Sequence, residues 1–404
     1  MDARKLLDGN MAMVEAMKRA RVGVISAYPI TPQSPVAEKL SEYVADDSLK
    51  AEYIRVESEH TALSCALGAQ LTGVRAGTAT SSVGLALMHE VLGIAAGCRV
   101  PIVMGIINRA LVAPWSLWCD HQDAMAERDS GWIQIYAESV QEVFDYMIYA
   151  YKLAEHEDVL LPAMVCQDGF FLSHTAEIAM IPDQETVDSF LPAYISKNTY
   201  LDVNNPMFIN NLTPSSEFGE MRRQQKDGFD AAKAVAPAIM EEFEQAFGRK
   251  LHIVEAYRCD DADVALVTIG SMSGTAKHTV DMLREEGKKV GVLRLVFFRP
   301  FPHEMVREAL KNVPTIGVLD RSAGLGAQGA PVYVEVKAAA GDCGGSITSL
   351  VGGLGGRDIS VATIKKAFDH LYAVHEGRAD ADEQVWVDVR ADYNELRRKI
   401  GGND

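Results

Sequence analysis

The stretch GVISAYPITPQSPVAEKLSEYV, residues 23–44, decides the fold. Its first residues form a short apolar run that predicts a buried strand, and Pro29 ends that strand. Ser34 followed by Pro35 is typical of a helix start, so a helix is predicted over the rest of the stretch. A strand, a loop and a helix in this order form the repeating unit of a parallel α/β sheet.

The alternation of strands and helices continues in both directions from this stretch. Before it, the apolar spacing in residues 3–21 predicts a helix, and after it strands and helices alternate up to VLLPAMVCQDG, residues 159–169. Most of the predicted strands are apolar throughout, which is typical of a sheet that is buried on both faces. A second alternation begins at DADVALVTIGS, residues 261–271, and predicts a second, smaller parallel α/β domain.

Between the two alternations the pattern stops, because residues 201–228 are rich in Asn, Pro and Ser and a long helix is predicted after them. We therefore predict a first α/β domain at 1–190, an arm and linker at 191–250, a second α/β domain at 251–375 and a charged C-terminal tail at 376–404. The length of 404 residues is itself typical of two domains.

Composition excludes several classes of partner. The chain has 39 basic and 56 acidic residues and a net charge of -17, which argues against nucleic acid and against an anionic membrane surface. It has no apolar run of the ~18–20 residues that a membrane span needs. The N-terminus is charged and amphipathic and does not resemble a signal peptide, so a cytoplasmic location is expected.

Cysteine spacing excludes metal clusters held by this chain alone. The six cysteines occur at positions 65, 98, 119, 166, 259 and 343, and the closest two are 21 residues apart. Zinc sites and iron–sulfur clusters need closely spaced cysteines, so neither is expected here.

Three loops carry polar groups directly after an apolar strand, where open α/β sheets bind ligands. In the first, Thr31 lies between Pro29 and Pro32, and it serves either as a fixed hydroxyl for an anion or as part of a helix N-cap loop. In the second, Glu59 begins a helix of small residues, where its carboxylate is either functional or only stabilises the helix dipole. In the third, Arg109 is either a structural ion-pair partner or a receptor for a carboxylate.

The loop after Arg109 contains WSLWCDHQD, residues 115–123. Two tryptophans and several acids in one loop predict a closed apolar pocket or a subunit contact.

A glycine-rich loop in the second domain, GLGAQGA at residues 324–330, matches the GxGxxGA pattern of dinucleotide-binding proteins. The next predicted strand lacks the acidic residue at its end that such a site needs. A tight structural loop is therefore favoured over a nucleotide site.

At these loops the sequence resembles the α subunit of pyruvate:ferredoxin oxidoreductase, a member of the 2-oxoacid:ferredoxin oxidoreductase family. The resemblance runs from about residue 5 to residue 372. It is carried by YPITPQSPVAE (28–38), VESEHTALSCALGA (56–69), TATSSVGLALMHE (78–90), NRALVAPWSLWCDHQDAMAERDSGWIQ (108–134), LRLVFFRPFP (293–302), VLDRSAGLGAQGAPVYVEV (318–336) and GGLGGRDIS (352–360).

The resemblance implies a fold and a set of site residues. The first domain would be a thiamine-diphosphate-binding pyrimidine domain with a parallel sheet, and the second a domain like the C-terminal domain of transketolases. Glu59 would be the catalytic acid that binds the aminopyrimidine ring of the cofactor, with Pro29 also in the cofactor site. Thr31 and Arg109 would bind the carbonyl and carboxylate of the 2-oxoacid.

The resemblance also implies partners and cofactors beyond this chain. Members use a Gly-Asp-Gly motif and a distal Asn for Mg²⁺ and diphosphate, and here only Gln167-Asp168-Gly169 is partly similar. Thiamine diphosphate would therefore be shared with a β subunit that holds Mg²⁺, and γ and δ subunits would complete the complex, with [4Fe-4S] clusters on partner subunits. Coenzyme A would accept the acyl group and ferredoxin the electrons.

Two alternatives remain at this point. The first is a sister enzyme that acts on 2-oxoisovalerate, 2-oxoglutarate or oxalate. The second is a non-catalytic scaffold subunit, which would be expected to have lost Glu59, Arg109 or Thr31, whereas all three are present.

Overall fold

The computed structural model describes residues 3–196 and 200–393 of the chain. They form two compact units that interleave along the sequence, and the domain limits predicted at residues 190, 250 and 375 stay a prediction. Among the described residues, the first unit comprises those up to Glu255 together with Ile269–Ser271 and Leu295–Pro302, and the second comprises Ala256–Thr268, Met272–Arg294 and those from His303 onward.

Most of the elements up to residue 250 alternate between strand and helix, as the sequence predicts. In chain order they are β1 (Ala3–Leu7), α1 (Gly9–Arg19), β2 (Val24–Ala27), α2 (Ser34–Ala45), β3 (Glu52–Arg55), α3 (Glu59–Leu71), β4 (Ala76–Thr80), α4 (Ser82–Leu87), α5 (His89–Gly97), β5 (Val103–Asn108), α6 (Gln122–Ala126), β6 (Ile133–Tyr136), α7 (Val140–Ala154), β7 (Ala163–Asp168), β8 (Glu177–Ile181), α8 (Gln184–Phe190) and α9 (Phe218–Phe247).

A second alternation follows. Its elements are β9 (Val254–Tyr257), β10 (Val264–Ile269), α10 (Met272–Glu285), β11 (Val290–Leu295), β12 (Phe297–Arg299), α11 (His303–Leu310), β13 (Thr315–Asp320), α12 (Pro331–Ala340), β14 (Ser346–Val351), α13 (Val361–His375) and β15 (Val385–Trp386).

The first unit is built on a seven-stranded sheet with the order β12-β6-β7-β5-β4-β2-β3. Six of these strands are parallel to their neighbours, and only β12 is antiparallel, against β6. Strands β4, β5 and β7 are buried at every residue, as the apolar runs predicted. Because the strands are parallel, their carboxyl ends meet at one edge of the sheet.

A six-stranded sheet with the order β15-β14-β13-β10-β11-β9 has most of its residues in the second unit. Strands β10, β13, β14 and β15 form parallel neighbours. The α/β class predicted for both domains is therefore confirmed. Strand β15 lies within the segment 376–404 that was predicted as a charged tail, and residues 394–404 of that segment lie outside the described residues.

Two local predictions were wrong. Residues 3–21 do not form one helix, because β1 pairs antiparallel with β8 and Asp8 then caps α1 by accepting a 2.8 Å hydrogen bond from the Met11 amide. Helix α9 begins earlier than its predicted start at Asp230. Ion pairs between side chains four residues apart, such as Arg223 with Asp227, support the additional turns.

A buried ion pair between Arg75 and Glu155 predicts a large effect on stability. Arg75 donates to the two carboxylate oxygens at 2.6 and 2.8 Å, and also to the carbonyl of Pro192 at 2.9 Å. Burial raises the pKa of Glu155, and the Arg75 guanidinium opposes that shift. We expect Arg75→Met to lower the free energy of unfolding by about 3 kcal/mol, because it leaves a buried carboxylate uncompensated.

Denaturant unfolding of the variant chain measures this loss. The matched control is Arg307→Met, which removes an exposed pair with Asp342 and should lower the free energy of unfolding far less, because solvent screens that pair. Equal losses in the two variants would contradict the expectation.

Candidate active site

The three residues singled out in the sequence lie at the carboxyl edge of the seven-stranded sheet. Thr31 follows β2, Glu59 follows β3, and Arg109 follows β5, and these strands are parallel members of that sheet. The structure therefore brings together side chains that are 28 to 78 positions apart in the sequence.

Glu59 is the first residue of α3, and Ser58 caps the helix by accepting a 3.2 Å hydrogen bond from the Thr61 amide. The Glu59 residue is only 7% exposed. A Cβ atom on Gly84 would lie 2.8 Å from the Cγ and Oε1 atoms of Glu59, so a glycine is needed there to leave room for the carboxylate.

Arg109 is 5% exposed and faces two carboxylates. Its Nη1 donates a 2.7 Å hydrogen bond to the carbonyl oxygen of Thr31, whereas its Nε is buried without a partner in the part of the chain that the structure describes. Burial lowers the pKa of the guanidinium, and the negative charges of Asp123 and Glu59 oppose that shift. Arg109 therefore keeps donor capacity for an anion beside Glu59.

Thr31 and Pro29 lie in an exposed loop. The carbonyl of Thr31 accepts from Arg109, and the carbonyl of Pro32 accepts a 2.9 Å hydrogen bond from the Asn10 side chain. The loop is thus held from two sides, while the Thr31 hydroxyl has no partner among the described residues. An exposed hydroxyl on a loop that is held by a guanidinium is suited to binding an oxyanion.

Asp123, on α6, is a buried carboxylate in this region for which the sequence predicted no role. It is 1% exposed, and its Oδ2 accepts hydrogen bonds from the amides of Ser82 at 2.9 Å and Arg109 at 3.0 Å. Its Oδ1 accepts from the Asn108 side chain at 2.8 Å. Burial raises the pKa of Asp123 to about 6. The only signal in the sequence was an acid in a loop with two tryptophans.

The Gln167-Asp168-Gly169 segment is part of a buried hydrogen-bonded network. The Asp168 Oδ1 atom lies 2.6 Å from His121 Nε2, and its Oδ2 accepts hydrogen bonds from the amide and hydroxyl of Ser271. Ligand atoms of Cys119, His121 and Asp168 lie within 4.8 Å of one another, a spacing that a metal ion also requires. Hydrogen bonds within the protein already account for both Asp168 oxygens.

The glycine-rich loop at 324–330 does not support the nucleotide hypothesis. Asp320, at the end of β13, is fully buried and accepts hydrogen bonds from the amides of Val332 at 2.8 Å and Tyr333 at 3.1 Å. These amides form the N-terminus of α12, where a dinucleotide phosphate would bind. A protein carboxylate already occupies that position.

The helices of the described ranges differ from membrane spans. None of them combines the length and the apolar character needed to cross a bilayer.

Comparisons with known proteins assign the chain to a family. Residues 15–241 match the family model described as pyruvate flavodoxin/ferredoxin oxidoreductase, thiamine diphosphate-binding, and residues 262–364 match the one described as pyruvate:ferredoxin oxidoreductase core domain II.

Curated relatives are similar along nearly the whole chain. The chain is 48% identical to pyruvate synthase subunit PorA of Methanocaldococcus jannaschii, over 96% of this chain and 98% of the relative. It is 46% identical to the PorA subunit of Thermotoga maritima, with the same two shares. It is 42% identical to ketoisovalerate oxidoreductase subunit VorA of Pyrococcus horikoshii, over 94% of this chain and 96% of the relative.

A solved structure of 2-oxoglutarate:ferredoxin oxidoreductase from Magnetococcus marinus shares the fold, with a TM-score of 0.70 at 19% identity. The alignment covers 91% of this chain and 65% of that longer chain. With family models over both parts of the sequence and close relatives along almost its full length, the chain belongs to the 2-oxoacid:ferredoxin oxidoreductase family, as an α subunit of the PorA kind.

Proposed function

We propose that the chain is the α subunit of a pyruvate:ferredoxin oxidoreductase. The complex oxidises pyruvate in the presence of coenzyme A to acetyl-CoA and CO₂, and two electrons pass to ferredoxin. The PorA relatives at 48% and 46% identity support pyruvate as the substrate. The observation that carries the site is Glu59 at the start of α3, a residue only 7% exposed whose negative charge acts on the guanidinium of Arg109.

The residues around Glu59 fit the aminopyrimidine ring of thiamine diphosphate. The Glu59 residue is largely buried, and a ring nitrogen that carries a proton would give its carboxylate a hydrogen-bond partner. At the end of β4 the hydroxyls of Thr80 and Ser81 are buried without partners in the described ranges. When bound, the cofactor supplies a nucleophilic thiazolium carbon and an electron sink. Glu59 holds a proton at the ring nitrogen, and Pro29 lines the same site.

Arg109 and Thr31 bind the 2-oxoacid. The free Nε of Arg109 donates to the substrate carboxylate, and the Thr31 hydroxyl donates to the 2-oxo oxygen, where charge develops during the reaction. The carboxylate leaves as neutral CO₂, so the guanidinium loses its anionic partner at that step. Binding at Arg109 must therefore orient the carboxylate without holding it too tightly.

Partner subunits complete the site. The sequence has no Gly-Asp-Gly motif, so the diphosphate and Mg²⁺ belong to a β subunit, while γ and δ subunits with [4Fe-4S] clusters carry electrons to ferredoxin. The cysteines support a reducing, cytoplasmic location, because none of the six, all of which lie in the described residues, forms a disulfide. A scaffold role is disfavoured by the retention of Glu59, Thr31 and Arg109 together at one edge.

The substrate assignment is tested with the co-purified complex and a panel of 2-oxoacids. From the rates of viologen reduction, we expect the kcat/KM for pyruvate to exceed the values for 2-oxoisovalerate, 2-oxoglutarate and oxalate by at least about tenfold. One extra methylene in a substrate pocket already changes kcat/KM about tenfold or more. The VorA relative, at 42% identity, makes 2-oxoisovalerate the second candidate. A clear preference for 2-oxoglutarate would reject pyruvate and leave the family unchanged.

A further inference from the structure

One buried carboxylate connects both halves of the candidate site. Asp123 accepts hydrogen bonds from the main chain after β4, at Ser82, and from the main chain after β5, at Arg109. The Asn108 side chain and the Ala124 amide donate to its other oxygen, both at 2.8 Å. All of these groups are buried, so no water is available to replace the carboxylate as an acceptor.

The first of these bonds, from the Ser82 amide, fixes the segment Ser82–Gly84, which packs against Glu59. We call this segment the Glu59 pocket wall. Ser82 has a φ of 50°, a left-handed backbone conformation that non-glycine residues seldom adopt. Two contacts hold it there: its amide donates to Asp123, and its hydroxyl donates to the carbonyl of Ala110 at 2.6 Å. Gly84, two residues further on, packs closely against Glu59, since a Cβ there would lie 2.8 Å from Oε1.

The second bond acts on the substrate-binding arginine. The Asp123 carboxylate fixes the main chain of Arg109, from which the guanidinium reaches the Thr31 carbonyl at 2.7 Å. Strand β5 is buried and ends at Asn108, directly before Arg109. The hydrogen bond from the Arg109 amide to Asp123 therefore sets the direction in which the Arg109 side chain leaves the sheet.

We propose that Asp123 is a positioning residue, which holds the Glu59 pocket wall and the Arg109 guanidinium in one fixed arrangement through a single carboxylate. The proposal rests on the proposed function, because Glu59 and Arg109 are its cofactor and substrate residues. In this proposal Asp123 has no direct contact with the cofactor or the substrate. It acts through the main chain of Ser82 and Arg109.

The test variant is Asp123→Asn, which keeps the shape but turns one acceptor atom into a donor. Four donors surround the carboxylate, so the amide cannot accept from all of them. In the assembled complex we expect kcat to fall about tenfold and KM for pyruvate to rise about tenfold, since small displacements of reacting groups can cost about 100-fold in total. A purely structural residue would lower the melting temperature and leave KM unchanged.

Two further variants keep the result interpretable. Glu127→Gln removes another buried carboxylate, which pairs with His89 at 2.7 Å, and it should change the melting temperature but not KM. Asn108→Ala removes only one of the hydrogen bonds to Asp123, so it should raise the KM for pyruvate about threefold. If the Asp123→Asn complex does not assemble, the KM of the Asn108→Ala complex tests the positioning role in its place. Wild-type KM in a folded Asp123→Asn complex, or in Asn108→Ala if that replaces it, would overturn the positioning role. A wild-type complex that turns over no 2-oxoacid would instead reject the proposed function.

Discussion

Glu59→Gln should lower the pyruvate-dependent reduction of viologen by about 1,000-fold or more in the reconstituted complex. The amide cannot take up or share a proton at the cofactor's ring nitrogen as a carboxylate does, and acid–base groups of this kind contribute ~10²–10⁴-fold. The change keeps the volume of the side chain beside Gly84, so it should not disturb the packing of α3. Subunit assembly should therefore be unaffected.

The measurement compares the steady-state rate with the subunit ratio of the purified complex. Glu57→Gln is the matched control, because Glu57 lies two residues away, is exposed, and accepts a hydrogen bond from the Thr61 hydroxyl. It should keep nearly the full rate. Full activity in the Glu59 variant would refute the role given to that residue.

Arg109→Lys should raise the KM for pyruvate by about 100-fold. Lysine keeps the charge but cannot both donate to the Thr31 carbonyl and bind a carboxylate in the planar geometry of a guanidinium. Loss of a charge-assisted hydrogen bond costs about 1.5–3 kcal/mol, which corresponds to a factor of roughly 10 to 150 in affinity.

The comparison variant is Arg99→Lys. Arg99 donates to carbonyl oxygens, those of Val159, Leu160 and Gln224, and has no role in the proposed site. It should lower stability and leave KM near the wild-type value. If both arginine variants raise KM equally, a general loss of packing and not a lost substrate contact would explain the result.

The predicted features share a physical origin. Apolar runs that end at a proline, an acid or an arginine predicted parallel strands with polar groups at their carboxyl ends, and parallel pairing places those ends together. Thr31, Glu59 and Arg109 could therefore be assigned to one edge of a sheet from the sequence alone. The resemblance to a known family added their roles.

The features that the sequence did not predict depend on partners far apart in the chain. Asp123 bonds to the Ser82 amide across 41 positions, and Asp168 bonds to Ser271 across 103, and neither pairing leaves a local pattern. The strand character of residues 3–7 depends on β8 in the same way. Local periodicity indicates which face of an element is apolar. It carries no information about which buried groups will donate hydrogen bonds to a carboxylate.

In the proposed function, Glu59 of this chain activates a cofactor whose diphosphate is held by another subunit. The most direct test is the rate at which the C2 proton of bound thiamine diphosphate exchanges with deuterium in the assembled complex, measured by rapid quench and NMR in the absence of substrate. Wild-type complex should exchange this proton at least about 100-fold faster than the Glu59→Gln complex with the same cofactor content. Equal exchange rates in the two complexes would contradict this role of Glu59.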